Sequence, residues 1–201
     1  MTPAIWGILN VTPDSFSDGG LYLEPEDAVS RARQLLTDGA SVIDVGAESS
    51  RPGAERVSIN EELRRLRPVV DALVAENIPV SVDTMRAEVA TEMVGRGAQI
   101  VNDISGGLAD PEMFGAVAAL DCTYVLMHWR GHSATMDDQA HYDEVAEDVA
   151  EELTNRVDAA REAGIAPERL MLDPGFGFAK GVDHNWKLMQ HLGHIVSLGL
   201  P

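Results

Sequence analysis

Cys122 is the only cysteine among 201 residues, which excludes an internal disulfide and makes a reducing compartment the simple expectation, with the thiol packed as a small core side chain. Cations are scarce too. Lys and Arg number 15 against 33 Asp and Glu, for a net charge of −18. A field of that sign excludes broad binding to nucleic acid or to an anionic membrane. A substrate carrying phosphate would therefore need local cations. No apolar run approaches the roughly 20 residues of a membrane-spanning helix. No signal peptide opens the chain, because Met1-Thr2-Pro3-Ala4 leads straight into an apolar run. The expected location is the cytoplasm.

What is present reads as an ordinary globular chain, 45% hydrophobic and 24% charged, long enough for one domain over residues 1–201. Six apolar runs end on, or contain, a polar residue: Ile5–Leu9 before Asn10, Val42–Gly46 around Asp44, Val80–Val82 before Asp83, Ile100–Val101 before Asn102, Tyr124–Met127 before His128, and Leu170–Leu172 before Asp173. Helical patterns separate them. The first starts at Pro25 and stops at Gly39; the second opens near Asn60, with Pro68 expected to kink or break it. A third covers about 86–96. A fourth is expected to start at Asp110-Pro111-Glu112, with Asp as cap and Pro in the first turn. The fifth ends at Gly164, and a single last helix is expected over about 184–198.

Strict β-α alternation implies a parallel sheet with right-handed crossovers. The fold class expected is α/β, a (β/α)8 TIM barrel of which the first six β/α units are present. Gly199-Leu200-Pro201 reads as the turn into a seventh strand. In such a barrel, polar groups at the carboxyl ends of successive strands share one rim and build the active site.

Four segments carry chemistry. The loop Asn10-Val11-Thr12-Pro13-Asp14-Ser15-Phe16 places an oxygen at a strand end, where it either caps the turn or serves as one ligand of a hard cation. Ser50-Arg51-Pro52-Gly53 offers a guanidinium whose fork suits phosphate, or pairs with Glu48 or Glu55. Asp83, Asn102 and Asp173 lie in different units, all at the ends of apolar runs. Partly desolvated, such groups favour a ligand with matching donors, such as the N–H and NH₂ edge of a 2-amino-4-oxo-pterin. Asp173-Pro174-Gly175-Phe176-Gly177-Phe178-Ala179-Lys180 adds close backbone approach, two rings and a point charge. His128 is expected to be a satisfied structural histidine rather than a catalytic one.

Together these segments resemble the dihydropteroate synthase family, whose pterin-binding barrel serves folate biosynthesis. The resemblance runs in order through essentially all 201 residues. It also takes in Ser81-Val82-Asp83-Thr84, Asn102-Asp103-Ile104-Ser105 and Leu126-Met127-His128. It implies Mg²⁺-dependent transfer of the dihydropterin-6-ylmethyl group from its pyrophosphate to p-aminobenzoate. Carried over, Asn10 is the Mg²⁺ ligand. Asp83, Asn102 and Asp173 hold the pterin, with Met127 against its ring. Ser50 and Arg51 meet the pyrophosphate and the second substrate, and Phe16, Pro52, Phe178 and Lys180 form the aminobenzoate pocket. Asp83, Asn102, Asp173 and Arg51 are the catalytic candidates. Family membership also implies a homodimer and a sulfonamide target.

Two departures look tolerable: Ala47 where the family usually has glycine, and Trp129 where methionine is frequent. The family's Ser-Arg-Lys and Arg-Val-His segments, from strands seven and eight, have no counterpart, so the 201-residue chain is expected to turn over poorly or not to fold alone. Two alternatives share the pterin site: a methyltransferase using methyltetrahydrofolate, and a non-catalytic pterin-binding protein.

Overall fold

The structure, a computed structural model, describes residues 3–12, 25–48, 56–132 and 134–201. Six parallel strands, β1 (Trp6–Asn10), β2 (Val42–Gly46), β3 (Val80–Asp83), β4 (Ile100–Asp103), β5 (Thr123–Met127) and β6 (Leu170–Asp173), pair in sequence order. Between and after them run α1 (Pro25–Thr37), α2 (Ile59–Ala75), α3 (Ala87–Gly95), α4 (Met113–Ala119), α5 (Val145–Glu162), α6 (Val182–Gln190) and α7 (Gly193–Val196). These are six units of the expected barrel. The carbonyl of Pro201 accepts from the Leu172 N–H at 2.7 Å, so the last residue lies along the outer side of β6.

Register explains which residues face where. Leu9, Val45, Val82, Val101, Tyr124 and Leu170 are mutual neighbours across the sheet, and every one is buried against the helices. Side chains alternate along a strand, so Asn10, Gly46, Asp83, Asn102, Val125 and Met171, which also pair in register, face the other way, into the barrel. The apolar helix faces complete the core: Leu63, Leu66, Val69, Val70 and Leu73 on α2, and Val149, Leu153 and Val157 on α5.

The helix-to-strand turn repeats as the paired Gly-Ala dipeptides suggest. Gly39 and Gly97 take φ of 112° and 114°. At Gly97 a Cβ would also stand 2.8 Å from Val74 Cγ1, so only glycine lets the turn lie against α2.

Three helical expectations need correction. α2 runs unbroken through Pro68, because buried residues on both sides press the rod onto the sheet and outweigh one lost main-chain bond. α4 begins at Met113, later than expected, and the Asp110 carboxylate is shared: one oxygen accepts from Ala87 N at 2.8 Å, at the start of α3, and the other from Glu112 N at 3.0 Å. The last helix is two, α6 and α7, parted just before Gly193.

Candidate active site

The carboxyl ends of the strands bring five of the sequence-predicted residues to one face. Asn10, Asp83 and Asn102 occupy one level of the barrel interior. Met127 and Asp173 pair with each other one step nearer the rim, two residues beyond Val125 and Met171. Gly46 lies between Asn10 and Asp83. A Cβ there would come within 3.3 Å of both Asn10 Oδ1 and Asp83 Oδ2, so the missing side chain leaves room for these two groups to converge. Ser50, Arg51, Phe16 and Pro52 lie outside the described residues.

The floor of this face is electrostatically costly. Asp44, one level below Gly46, is 8% exposed and accepts from Asn102 Nδ2 at 3.0 Å through Oδ2. Its other oxygen, Oδ1, is buried beside the Ser81 hydroxyl, its neighbour in register on β3, and neither atom has any further partner among the described residues. Burial pushes the Asp44 carboxyl up, against the Ser81 hydroxyl and the Asn102 amide that hold it down. Burial pushes Asp83 well above the usual carboxylate range, and the adjacent Asp44 charge adds to the rise. Asp44 was not assigned from sequence. Its signal was parity, since it sits two residues before Gly46 on the strand that Asp83 adjoins.

Supporting groups lie behind the rim. Glu48 accepts from Val57 N at 2.8 Å, and among the described residues it also pairs with Arg56 at 3.3 Å and with Arg86 at 3.4 Å. Arg86 bridges to Glu62, which is 1% exposed and also accepts from Thr84 Oγ1 at 2.6 Å, and donates to the Val57 carbonyl at 2.6 Å. This buried network ties the ends of β2 and β3 to α2. Sequence reading missed it, because its members lie far apart in the chain.

Asp173 keeps one carboxylate oxygen on Gly175 N at 2.7 Å, and its carbonyl accepts from His128 N at 2.9 Å. His128 is buried, as expected of a structural histidine, and both ring nitrogens are engaged, by Glu152 at 3.0 Å and by Lys180 at 2.9 Å. Lys180 does not stand on an open surface. The residue is 7% exposed and enclosed beneath the β6–α6 loop, while Phe178 on the same loop is partly exposed.

Asn10 is exposed at the mouth, and among the described residues no hydrogen bond reaches its side chain. A single hard oxygen in that position fits Mg²⁺, which fills its remaining positions with water and substrate phosphate. No group of three His, Cys, Asp or Glu able to hold a metal occurs among the described residues.

An α/β barrel sheet whose strand ends gather desolvated carboxylates, an amide and a methionine defines a site for a flat ligand rich in N–H donors. The chain matches the sequence profile of the pterin binding enzymes over residues 6–201, and it belongs to that family. It is 49% identical to the dihydropteroate synthase of Mycobacterium leprae over 97% of its own length and 69% of the relative's. A dihydropteroate synthase of Yersinia pestis, solved with a sulfonamide drug, superposes with a TM-score of 0.92 at 42% identity, over 99% of this chain and 72% of that one. Another from Xanthomonas albilineans, in complex with 7,8-dihydropteroate, gives 0.85 at 42% identity, over 99% and 70%. No helix among the described residues is long and apolar enough to cross a membrane.

Proposed function

We propose that this site carries out the dihydropteroate synthase reaction, moving the 7,8-dihydropterin-6-ylmethyl group from its pyrophosphate to p-aminobenzoate. The observation that carries this reading is the pair Asp44 and Asp83. Desolvation raises both carboxyls, and a ligand that offers N–H groups to carboxylates, as the pterin edge does, relieves that cost. Asp173 and Asn102 face the same space, and Met127 offers an apolar surface for the ring.

The C–O bond to the pyrophosphate breaks, leaving a methylene cation conjugated with the pterin. The carboxylates at Asp83, Asp44 and Asp173 favour that positive charge in a site of low polarity. The arylamine nitrogen then forms the new C–N bond and releases a proton to solvent, giving 7,8-dihydropteroate and pyrophosphate. Asn10 would hold Mg²⁺, which supplies charge neutralisation for the departing pyrophosphate. Arg51 and Ser50 are proposed to meet the pyrophosphate, and Phe16, Pro52 and Phe178 the aminobenzoate ring.

A cytoplasmic location belongs to this reading, supported by the single buried thiol of Cys122. So does a homodimer: Val182, Trp186 and Met189 recur at helical spacing on α6 and are all exposed. The test is to supply the pyrophosphate substrate and p-aminobenzoate to the whole gene product, with and without Mg²⁺. Dihydropteroate formed only with the metal supports the reading. Pterin binding with no product under any condition overturns it.

A further inference from the structure

Lys180 ends a buried polar chain that runs beneath the site without entering it. Its ammonium donates to His128 Nδ1 at 2.9 Å, to the Gly175 carbonyl at 3.0 Å and to the Phe178 carbonyl at 3.1 Å. A lysine has three N–H donors only as the cation, so three acceptors complete its cage. His128 must then carry its proton on Nε2, which donates to Glu152 Oε2 at 3.0 Å. Arg130 grips Glu152 from the other side, its Nε lying 3.1 Å from Oε1.

The chain joins two strand ends. Met127 directly precedes His128, and the His128 N–H donates to the Asp173 carbonyl. Gly175, whose N–H holds the Asp173 carboxylate, has φ of 68°. A Cβ on it would fall 2.5 Å from the His128 carbonyl and 3.4 Å from Lys180 Nζ, so this backbone rests directly on the clamp.

We infer that Lys180, oriented through His128 and Glu152, is a positioning residue that fixes the spacing between Met127 and Asp173 and so sets the fit of the pterin between them. The inference rests on the pterin reading above, and it gives Lys180 a task other than contact with aminobenzoate. The charged and titratable groups around the ammonium are His128, Arg130 and Tyr142 from the segment after β5, Glu152 from α5 and Asp173 from β6.

Burial draws Lys180 down to about 7. Above that pH the amine has two donors for three acceptors, and the clamp loses a bond. Stability moves the other way. The unfolded chain binds more protons than the folded one between that value and the ordinary 10.5, so the Lys180 contribution to stability increases as pH rises through that window. A role confined to stability would thus give the opposite pH trend in affinity.

The experiment measures the affinity of the whole gene product for dihydropterin pyrophosphate between pH 6 and 9, with thermal unfolding in parallel. It compares wild type, Lys180→Met and Glu152→Gln as ratios, because the ligand's own titration is common to all three. At pH 6, Lys180→Met should bind about tenfold more weakly than wild type, the equivalent of one hydrogen bond. The gap should narrow by pH 9 as wild type loses its clamp. Glu152→Gln, which touches no ligand, should lose affinity in the same direction by about threefold, a partial loss of that bond. A constant ratio for Lys180→Met across the range, or affinity within twofold of wild type, overturns the inference. If Lys180→Met does not fold, unchanged affinity in Glu152→Gln overturns it. Wild type that binds no pterin overturns instead the functional reading beneath it.

Discussion

Asn102 and Asp103 are consecutive on β4 and serve opposite sides of the sheet. Asn102 gives its amide to Asp44 inside the barrel at 3.0 Å. Asp103, fully buried on the helix side, accepts from Ser105 N and Oγ, Gly107 N and the Tyr124 hydroxyl, at 2.8, 2.6, 2.8 and 2.6 Å. One residue builds the pocket and the next holds the loop behind it. Tyr124→Phe should therefore cost about 1–2 kcal/mol of stability and leave pterin affinity unchanged. Asn102→Ala should weaken affinity at least tenfold, about one hydrogen bond to a charged group. Thermal melts and calorimetric titration of both variants check the division.

Asp83→Asn should trade binding for stability. With its folded pKa raised, the carboxyl costs stability increasingly as pH climbs from the ordinary 3.8 to the folded value, and fully above it, so the neutral amide should help most there. The expected gain is about 1 kcal/mol, the low end for a poorly satisfied buried polar group, with pterin binding lost. Denaturant unfolding at pH 5 and pH 8 measures it. A variant no more stable at pH 8 than wild type contradicts the strain assigned to Asp83.

Gly97→Ala should destabilise by at least about 1–2 kcal/mol, the cost of a left-handed φ in a residue with a Cβ. The clash with Val74 adds to it. Paired with Val74→Ala, the penalty should shrink but not vanish, because φ stays at 114°. A double-mutant cycle in urea separates the two contributions.

Asn10→Ala should shift the Mg²⁺ concentration that supports half-maximal turnover upward by several-fold, an effect of about 1 kcal/mol from one lost oxygen ligand. Pterin affinity without the metal should stay the same. An unaltered metal titration removes Asn10 from the metal's shell.

The order of elements was legible because apolar runs bounded by Gly and Pro mark strands, and apolar stripes mark helices. Where local signals competed with tertiary contacts, they lost. Pro68 did not break α2, and Asp110-Pro111 did not start α4, while Asp110 shares its carboxylate with α3. The strand-end residues Asn10, Asp83, Asn102 and Asp173 could be named because parallel strands bring all their carboxyl ends to one rim, whereas Met127 was named only through the family resemblance.

Sequence alone determined the repeat, the face each strand residue takes, and the family, since these follow from spacing along the chain. Tertiary structure decided which of the polar groups are satisfied. It paired Lys180 with His128, Glu62 with Arg86, and Asp44 with Asn102. Those outcomes depend on distances between residues tens of positions apart, and a carboxylate's energy is set by the neighbours and water it meets after the chain has closed around it.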